Sequence, residues 1–233
     1  IGFNLTSISD DFKAGATALT SISNSSNSGT ITADQSLGGL MGYNQIGGGF
    51  DQNAALTIAD SSNTGLVTDG GSNGSSFGGL IGENHVFGNN SFSAIRNSYS
   101  TGEVTGGVDA GGLVGVNDVQ DGDNVRSLIE NSYASGNVTA EYNGGAGGLI
   151  GYNWVQDGHN AKSEILNSYA TGDVSSALDA GGLVGYNQVE AANGQSIIKN
   201  AYSTGNVAGI ADAGGIIGYN ETASATSLST IEQ

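Results

Sequence analysis

The segment from Asn97 to Asn117, NSYSTGEVTGGVDAGGLVGVN, decides the fold, because both of its halves recur along the chain. The second half carries the pattern GGLxGxN, with L replaced by I in the last copy. Its six copies begin at Gly38, Gly78, Gly111, Gly147, Gly181 and Gly214. The first half, typified by NSYxxGxV, alternates with it and begins at Asn24, Asp60, Asn97, Asn131, Asn167 and Asn200. Strict alternation of two motifs at a period of this size indicates a repeat architecture.

The repeats predict strands rather than helices. The units are short, rich in β-branched residues and separated by Gly and Asn, and no segment keeps a 3.6-residue apolar period. Stacking such units in register gives one coil per repeat, with neighbouring coils about 4.8 Å apart. The sequence therefore predicts an all-β parallel β-solenoid (β-helix) of about six to seven coils, with about 33–40 residues per repeat and its handedness left open.

We predict one repeat array without a second domain. The expected units are a partial repeat at 1–23 and repeats at 24–59, 60–96, 97–130, 131–166, 167–199 and 200–233. Both termini fall inside a repeat, since the opening residues Ile1 to Asn4 match Ile217 to Asn220. Repeat proteins normally end in atypical capping units. The chain is therefore expected to be a piece of a longer array.

The composition excludes several classes of function. The chain has 41 Gly but no Pro, as expected if most backbone N–H groups are needed in strand ladders. With 22 acidic and 5 basic residues its formal net charge is −17, which argues against nucleic acid or an anionic membrane as a partner. No run of about 18 apolar residues is present, so we expect no membrane insertion. The absence of Cys excludes disulfides.

The alternation of side chains along each predicted strand assigns an inner and an outer face. The Asn that closes GGLxGxN shares a parity with the motif Leu and is expected to point inward, forming an amide ladder. This column comprises Asn44, Asn84, Asn117, Asn153, Asn187 and Asn220. By the same alternation Ile95 and Tyr99 point inward together, as do the Tyr residues of later copies, Tyr133, Tyr169 and Tyr202. Arg96 then lies beside Glu130 in the next coil, as an outward ion pair.

The paired motifs, N-[SC]-Y-[AS]-[TS]-G-x-V and G-G-L-[VI]-G-x-N, resemble the GLUG-motif repeats of large secreted bacterial proteins, including surface adhesins and non-catalytic regions of some secreted peptidases. The resemblance covers nearly the whole chain and is strongest from Asn97 to Asn220. It implies a bacterial extracellular or cell-surface location. It carries over no catalytic residue.

One acidic loop is a candidate cation site. Asp118, Asp121 and Asp123 follow the third motif Asn, and Asp157 lies one coil further on at the same offset as Asp121. Clusters of oxygen ligands suit Ca²⁺. A solvated acidic loop is the alternative, and no cofactor is required.

Two outer faces are candidates for binding. The first is a flat face of small residues around the Tyr column, formed by Ser98, Ser100, Ser132, Ala134, Ser168, Ala170, Ala201 and Ser203. Such a face suggests binding to ice or to a crystalline polymer. The second is an apolar and aromatic stripe in which Met41 accompanies Tyr43, Ile150 accompanies Tyr152, Val184 accompanies Tyr186 and Ile217 accompanies Tyr219. We expect this stripe to contact a partner unless later segments of the chain cover it.

Catalytic motifs are missing from the sequence. There is no nucleophile elbow, HExxH or phosphate loop, and His85 and His159 occupy different positions of the repeat. The five cationic residues, Lys13, Arg96, Arg126, Lys162 and Lys199, do not coincide with the acidic loop. These observations predict a chain without enzymatic activity.

The sequence thus favours a non-enzymatic structural or adhesive rod that presents flat faces to a cell surface or polymer surface. Ice binding through the small-residue face is one alternative. Others are end-to-end self-association into a filament through unpaired strand edges and the binding or processing of polysaccharide.

Overall fold

The computed structural model describes residues 2–7, 17–47, 53–71 and 74–233, and Lys13 lies outside these ranges. In the described ranges the chain forms stacked coils of short parallel strands without a helical residue. This confirms the predicted all-β parallel β-solenoid, with about six turns. No helix in the described part of the chain has the length and apolar character needed to cross a bilayer.

Each full coil contributes one strand to each of five parallel sheets, which we name A to E in chain order. Sheet A contains the GGLxGxN strands: Phe3–Ser7, Met41–Gly47, Ile81–Phe87, Val114–Gln120, Ile150–Val155, Val184–Val189 and Ile217–Thr222. Sheet B follows it in each coil: Thr17–Ser23, Asn53–Ala59, Phe92–Arg96, Arg126–Glu130, Lys162–Leu166, Gln195–Lys199 and Leu228–Glu232.

The other three sheets have shorter strands. Sheet C comprises Ser26–Asn27, Ser62–Asn63, Tyr99–Ser100, Tyr133–Ala134, Tyr169–Ala170 and Tyr202–Ser203. Sheet D comprises Ile31–Ala33, Val67–Asp69, Val104–Thr105, Val138–Ala140, Val174–Ser176 and Val207–Gly209. Sheet E comprises Ser36–Gly38, Ser76–Gly78, Asp109–Gly111, Gly145–Gly147, Asp179–Gly181 and Ala213–Gly214. Equivalent motif residues stack directly, as Asn117 does between Asn84 and Asn153.

The strands enclose two apolar cores that run along the solenoid. The larger core lies among sheets A, B and C and contains columns such as Leu113 with Leu149. The smaller core lies between sheets D and E, where Val104 and Val138 pack with Phe77 and Ala110. Each coil therefore buries only a few large side chains, which explains how a Gly-rich chain with a modest apolar content folds.

Glycine is the second residue of six sheet A strands, from Met41–Gly47 to Ile217–Thr222, and allows sheet A to pack directly against sheet E. A Cβ atom built on Gly115 would lie 2.5 Å from the backbone N of Phe77 and 2.5 Å from the carbonyl O of Gly82. Both neighbours are backbone atoms, so no side-chain rotation relieves the overlap. The motif Gly is thus required by close approach of two strands.

The larger core also contains the amide ladder. The Nδ2 of Asn84 donates to Oδ1 of Asn117 at 2.9 Å, and Nδ2 of Asn117 donates to Oδ1 of Asn153 at 2.8 Å. Serines from sheet B complete it, since Ser127 Oγ donates to Asn117 Oδ1 at 2.7 Å. The same pattern joins Asn44, Asn84, Asn117, Asn153, Asn187 and Asn220.

The small residues around the Tyr column point inward, so the predicted outer face of small residues is wrong. Ser98 and Ser100 are each only 1% exposed, whereas Tyr99 is half-buried and Tyr202 is 52% exposed. The reason is Asn97, whose φ of 49° places it in the left-handed region. Asn tolerates this conformation better than most residues. The resulting corner reverses the alternation between Ile95 and the residues that follow. The reversal applies to the whole set: Ser98, Ser100, Ser132, Ala134, Ser168, Ala170, Ala201 and Ser203 lie on the inner side and the Tyr residues lie outside.

The apolar half of the predicted stripe is also wrong. Met41 is 0% exposed, and Ile150 and Val184 are equally buried in the larger core. In the pairing between neighbouring sheet A strands, Val114 is the partner of Ile150 and Val116 is the partner of Tyr152, but the motif Gly residues between them are not paired. The alternation therefore breaks at Gly, and the residue before it faces the core while the Tyr after it faces outward.

Candidate functional site

The outer face of sheet A concentrates aromatic, amide and carboxylate side chains. Two columns run along it in strand register. One contains Tyr43, Glu83, Val116, Tyr152, Tyr186 and Tyr219, and the other contains Gln45, His85, Asp118, Trp154, Gln188 and Glu221. Most of these side chains are half-buried, and Tyr219 in the last coil is 37% exposed. We call this surface the sheet A outer face.

A polar network around His85 joins four neighbouring coils. The ring nitrogen Nδ1 of His85 lies 3.3 Å from the Tyr43 hydroxyl, and Nε2 lies 3.7 Å from Oδ2 of Asp118. Nε2 also contacts the side-chain amide of Gln120. Gln156 continues the network by donating to Oδ1 of Asp118 at 3.2 Å and to Oε1 of Gln120 at 2.6 Å. These contacts fix the polar groups in place along the face.

The aromatic part of the sheet A outer face begins two coils after His85, at Tyr152. The Tyr152 and Trp154 rings are stacked with centroids 5.8 Å apart, and Tyr186 meets Tyr152 edge-on at 5.0 Å. The hydroxyls of both tyrosines are held, since Tyr152 donates to Oε1 of Gln188 at 2.6 Å and Tyr186 donates to Oε2 of Glu221 at 3.2 Å. The Trp154 Nε1–H is buried and has no acceptor among the described residues.

A small cavity of about 240 Å³ opens between this face and the edge of sheet E. Its walls include Asp109, Asn143, Tyr152 and Tyr186. The backbone N–H of Gly145 donates to Oδ1 of Asp109 at 2.8 Å and so orients the carboxylate. This arrangement places one carboxylate beside two tyrosine rings.

Most titratable groups with perturbed pKa values lie on the sheet A outer face or at its edge with sheet E. Burial raises the pKa of Asp109 to about 7, and burial raises the pKa of Asp118 to about 6 despite the hydrogen bond from Gln156. The pKa of Glu83 is also raised by burial, and that of His85 is lowered by burial. Burial together with the Glu221 carboxylate raises the pKa of Tyr186 to about 12. Perturbed pKa values of this kind cluster at functional sites.

The four acidic residues predicted to share a calcium ion do not converge. Asp118 faces His85, whereas Asp123 pairs with His159, with Oδ1 and Nδ1 3.5 Å apart on an exposed edge. Asp121 and Asp157 form equivalent turns at positive φ. No group of three or more His, Asp or Glu in the described ranges is placed to hold a metal ion.

The Tyr column of sheet C is a separate surface with a different character. Tyr99, Tyr133, Tyr169 and Tyr202 stack with centroids 5.0 to 5.1 Å apart and rings within 5° of parallel. Because each ring face packs on the next ring, this column offers mainly edges and hydroxyls to solvent. The sheet A outer face differs in having rings in several orientations beside carboxylates and amides.

The chain matches no model of a known protein family. No curated protein sequence matches it significantly. One solved structure shows a partial likeness. It is a putative immunoglobulin A1 protease from Bacteroides ovatus, with a TM-score of 0.44 and 19% sequence identity. The alignment covers 84% of this chain and 66% of the other chain.

That comparison corrects one prediction. Since the matched protein is described as a protease, the prediction that this chain lacks enzymatic activity is contradicted and is withdrawn. At this identity and TM-score the likeness transfers neither an activity nor a catalytic residue to the present chain.

Sequence reasoning missed several residues of the site. Asp109 stands between the two motifs and belongs to neither, and Gln120 and Gln156 lie just past the motif Asn. The third residue after the motif Asn could have indicated these residues, because it is Gln in two successive coils, at Gln120 and Gln156. Such a stacked polar pair on the outer parity indicates a lateral network.

Substituting Asp109 gives a pH-dependent change in stability. Because the folded pKa is about 7 and the ordinary value is 3.8, the native state holds a proton that the unfolded chain releases. The free energy of unfolding therefore falls as pH rises between these two values. We expect Asp109→Asn to raise the melting temperature near pH 8 and to leave it unchanged near pH 3. Thermal melts at both pH values test this, and a lower melting temperature near pH 8 would contradict it.

Proposed function

We propose that this chain is a rigid extracellular repeat segment of the GLUG type that binds polysaccharide along the sheet A outer face. The observation that carries the proposal is the combination of Tyr152, Trp154 and Tyr186 with Asp118, Gln188 and Glu221 on one ordered surface. Sugar rings present C–H faces that pack on aromatic rings and hydroxyls that bond with carboxylates and amides. The face offers both kinds of partner side by side.

The regular solenoid supports binding to an extended polymer rather than to a compact ligand. Tyr186 and Tyr219 stack with centroids 4.8 Å apart, so binding groups repeat along the axis at the spacing of the coils. Continuous backbone ladders keep that spacing fixed. A preorganised surface avoids much of the entropic cost of ordering side chains on binding.

Electrostatics favours a neutral or cationic polymer. The four Lys and Arg residues in the described ranges, Arg96, Arg126, Lys162 and Lys199, all lie in sheet B. Three of them pair with Glu residues of the same sheet. The sheet A outer face carries only acidic and neutral groups apart from His85. An acidic polysaccharide would be repelled, which narrows the proposed ligand class.

Affinity electrophoresis in gels containing soluble neutral and cationic polysaccharides tests this function. Tyr186→Ala is expected to weaken retention about tenfold, because central aromatic groups contribute strongly to binding. Tyr169→Ala is the matched control, since it removes a half-buried Tyr from sheet C. Equal loss in both variants, or no retention of the native chain on any polysaccharide, contradicts the proposal.

A further inference from the structure

We propose that the cavity between sheets E and A binds an organic ammonium group, namely the amine of an unacetylated amino-sugar unit. The cavity is lined by Asp109, Tyr152 and Tyr186 and has a volume of about 240 Å³. The inference rests on the proposed polysaccharide binding and specifies one chemical feature of the ligand.

Gly145 forms part of the cavity wall and allows sheets E and A to approach closely there. In the register of sheet E, Gly145 occupies the same position as Asp179 in the next coil. A Cβ atom at Gly145 would lie 2.5 Å from the carbonyl O of Gly151 and 3.2 Å from Cβ of Tyr186. The backbone of Gly145 therefore packs directly against the strands of sheet A beside the cavity.

The polar atom at the base of the cavity is a carboxylate. Oδ1 of Asp109 accepts a hydrogen bond from the backbone N–H of Gly145 at 2.8 Å. Oδ2 of Asp109 has no hydrogen-bond donor among the described residues, and no Lys or Arg of those residues lies in sheet A or sheet E. An ammonium group supplies the missing positive charge and donates to this oxygen.

The two tyrosines complete a site for a cation. Their rings meet at 86° with centroids 5.0 Å apart, so they form two walls of different orientation. The negative faces of aromatic rings attract alkylammonium groups. A hydroxyl-bearing neutral sugar gains no such attraction, and an anion would be repelled by Asp109. The combination of one carboxylate with two rings therefore selects an amine over its N-acetylated form.

The charged groups that act on the cavity are acidic as well. Glu83 of sheet A acts on Asp109, and Asp118 and Glu190 act on Tyr152 as Asp109 does. Together with burial, the charge of Glu83 raises the pKa of Asp109 to about 7. A bound cation stabilises the carboxylate form. Affinity for a permanently charged ammonium ion should thus increase as pH rises from about 5 to about 8.

The test compares matched oligosaccharides by isothermal titration calorimetry near pH 7, where Asp109 is partly ionised and the sugar amine still carries charge. The trimer of glucosamine is expected to bind at least about tenfold more tightly than the trimer of N-acetylglucosamine. Asp109→Asn is expected to abolish this preference, so that the two trimers bind with similar affinity. Glu103→Gln is the control, since it removes one exposed carboxylate from outside the face.

Methylammonium, followed by NMR of the Tyr152 and Tyr186 rings, separates the two proposals, because it carries the same N–H donors and charge as the sugar amine. Equal affinity for both trimers, or a preference that survives in Asp109→Asn, overturns the ammonium site while leaving polysaccharide binding intact. Failure of every oligosaccharide to bind, with ring shifts from methylammonium that vanish in Asp109→Asn, overturns the proposed function but supports ammonium binding in the cavity. Absence of ring shifts in the native protein overturns the ammonium site directly.

Discussion

Gly115→Ala is expected to prevent stable folding of the central coils. The added Cβ meets the backbone of Phe77 and of Gly82 at 2.5 Å, well inside van der Waals contact. Relief requires separating sheet A from sheet E, which disrupts the ladders of neighbouring coils. We expect a loss of about 3 kcal/mol or more in the free energy of unfolding. Urea denaturation followed by circular dichroism measures it.

Gly215→Ala provides the matched control, because a Cβ atom there has no heavy atom within 4 Å. Both variants change one motif Gly to Ala, so they share the same change in backbone entropy. We expect the free energy of unfolding of Gly215→Ala to lie within about 0.5 kcal/mol of that of the native chain. Comparable stability of the two variants would show that close approach of the sheets is not what requires Gly115.

Asn117→Ala is expected to lower the free energy of unfolding by about 3 to 5 kcal/mol, because it breaks the amide ladder at its centre. The substitution removes the acceptor for Asn84 and Ser127 and the donor to Asn153 and Ser163. Those partners are buried, and each unsatisfied polar group carries a desolvation penalty. The measurement is the shift of the urea midpoint.

Asn220→Ala is the control for the ladder. Asn220 is exposed in the last coil and accepts from Asn187 at 2.7 Å. When the Asn220 side chain is removed, water can accept the hydrogen bond from Asn187. We therefore expect the free energy of unfolding to fall by less than about 1 kcal/mol. If Asn117→Ala were as mild as Asn220→Ala, the ladder would not be a major source of stability.

Much of the fold follows from motif spacing alone. The equal offsets of the motif Asn residues predict their stacking, and the stacking of Arg96 on Glu130 follows from the same alignment, with Nε and Oε2 3.2 Å apart. Period-2 alternation fails at two places where the backbone is not a regular strand. One is the left-handed corner at Asn97, and the other is the strand irregularity at Gly115.

The candidate site was harder to predict than the fold. The outward Tyr152 and Tyr186 follow from parity with the motif Asn next to them, because the alternation breaks before them, at the motif Gly. The cavity beside Asp109 does not, because it depends on how closely sheets A and E approach at Gly145. Sequence alone does not report the distance between two sheets.

The most direct test of polysaccharide binding uses the single Trp of the chain, which lies in the proposed site. Trp154 stacks against Tyr152 on the sheet A outer face, so its fluorescence reports on that surface. Titration with the glucosamine trimer is expected to produce a saturable change in Trp154 emission whose midpoint matches the calorimetric affinity. Calorimetric binding with unchanged Trp154 emission would contradict the account by placing the ligand on another face.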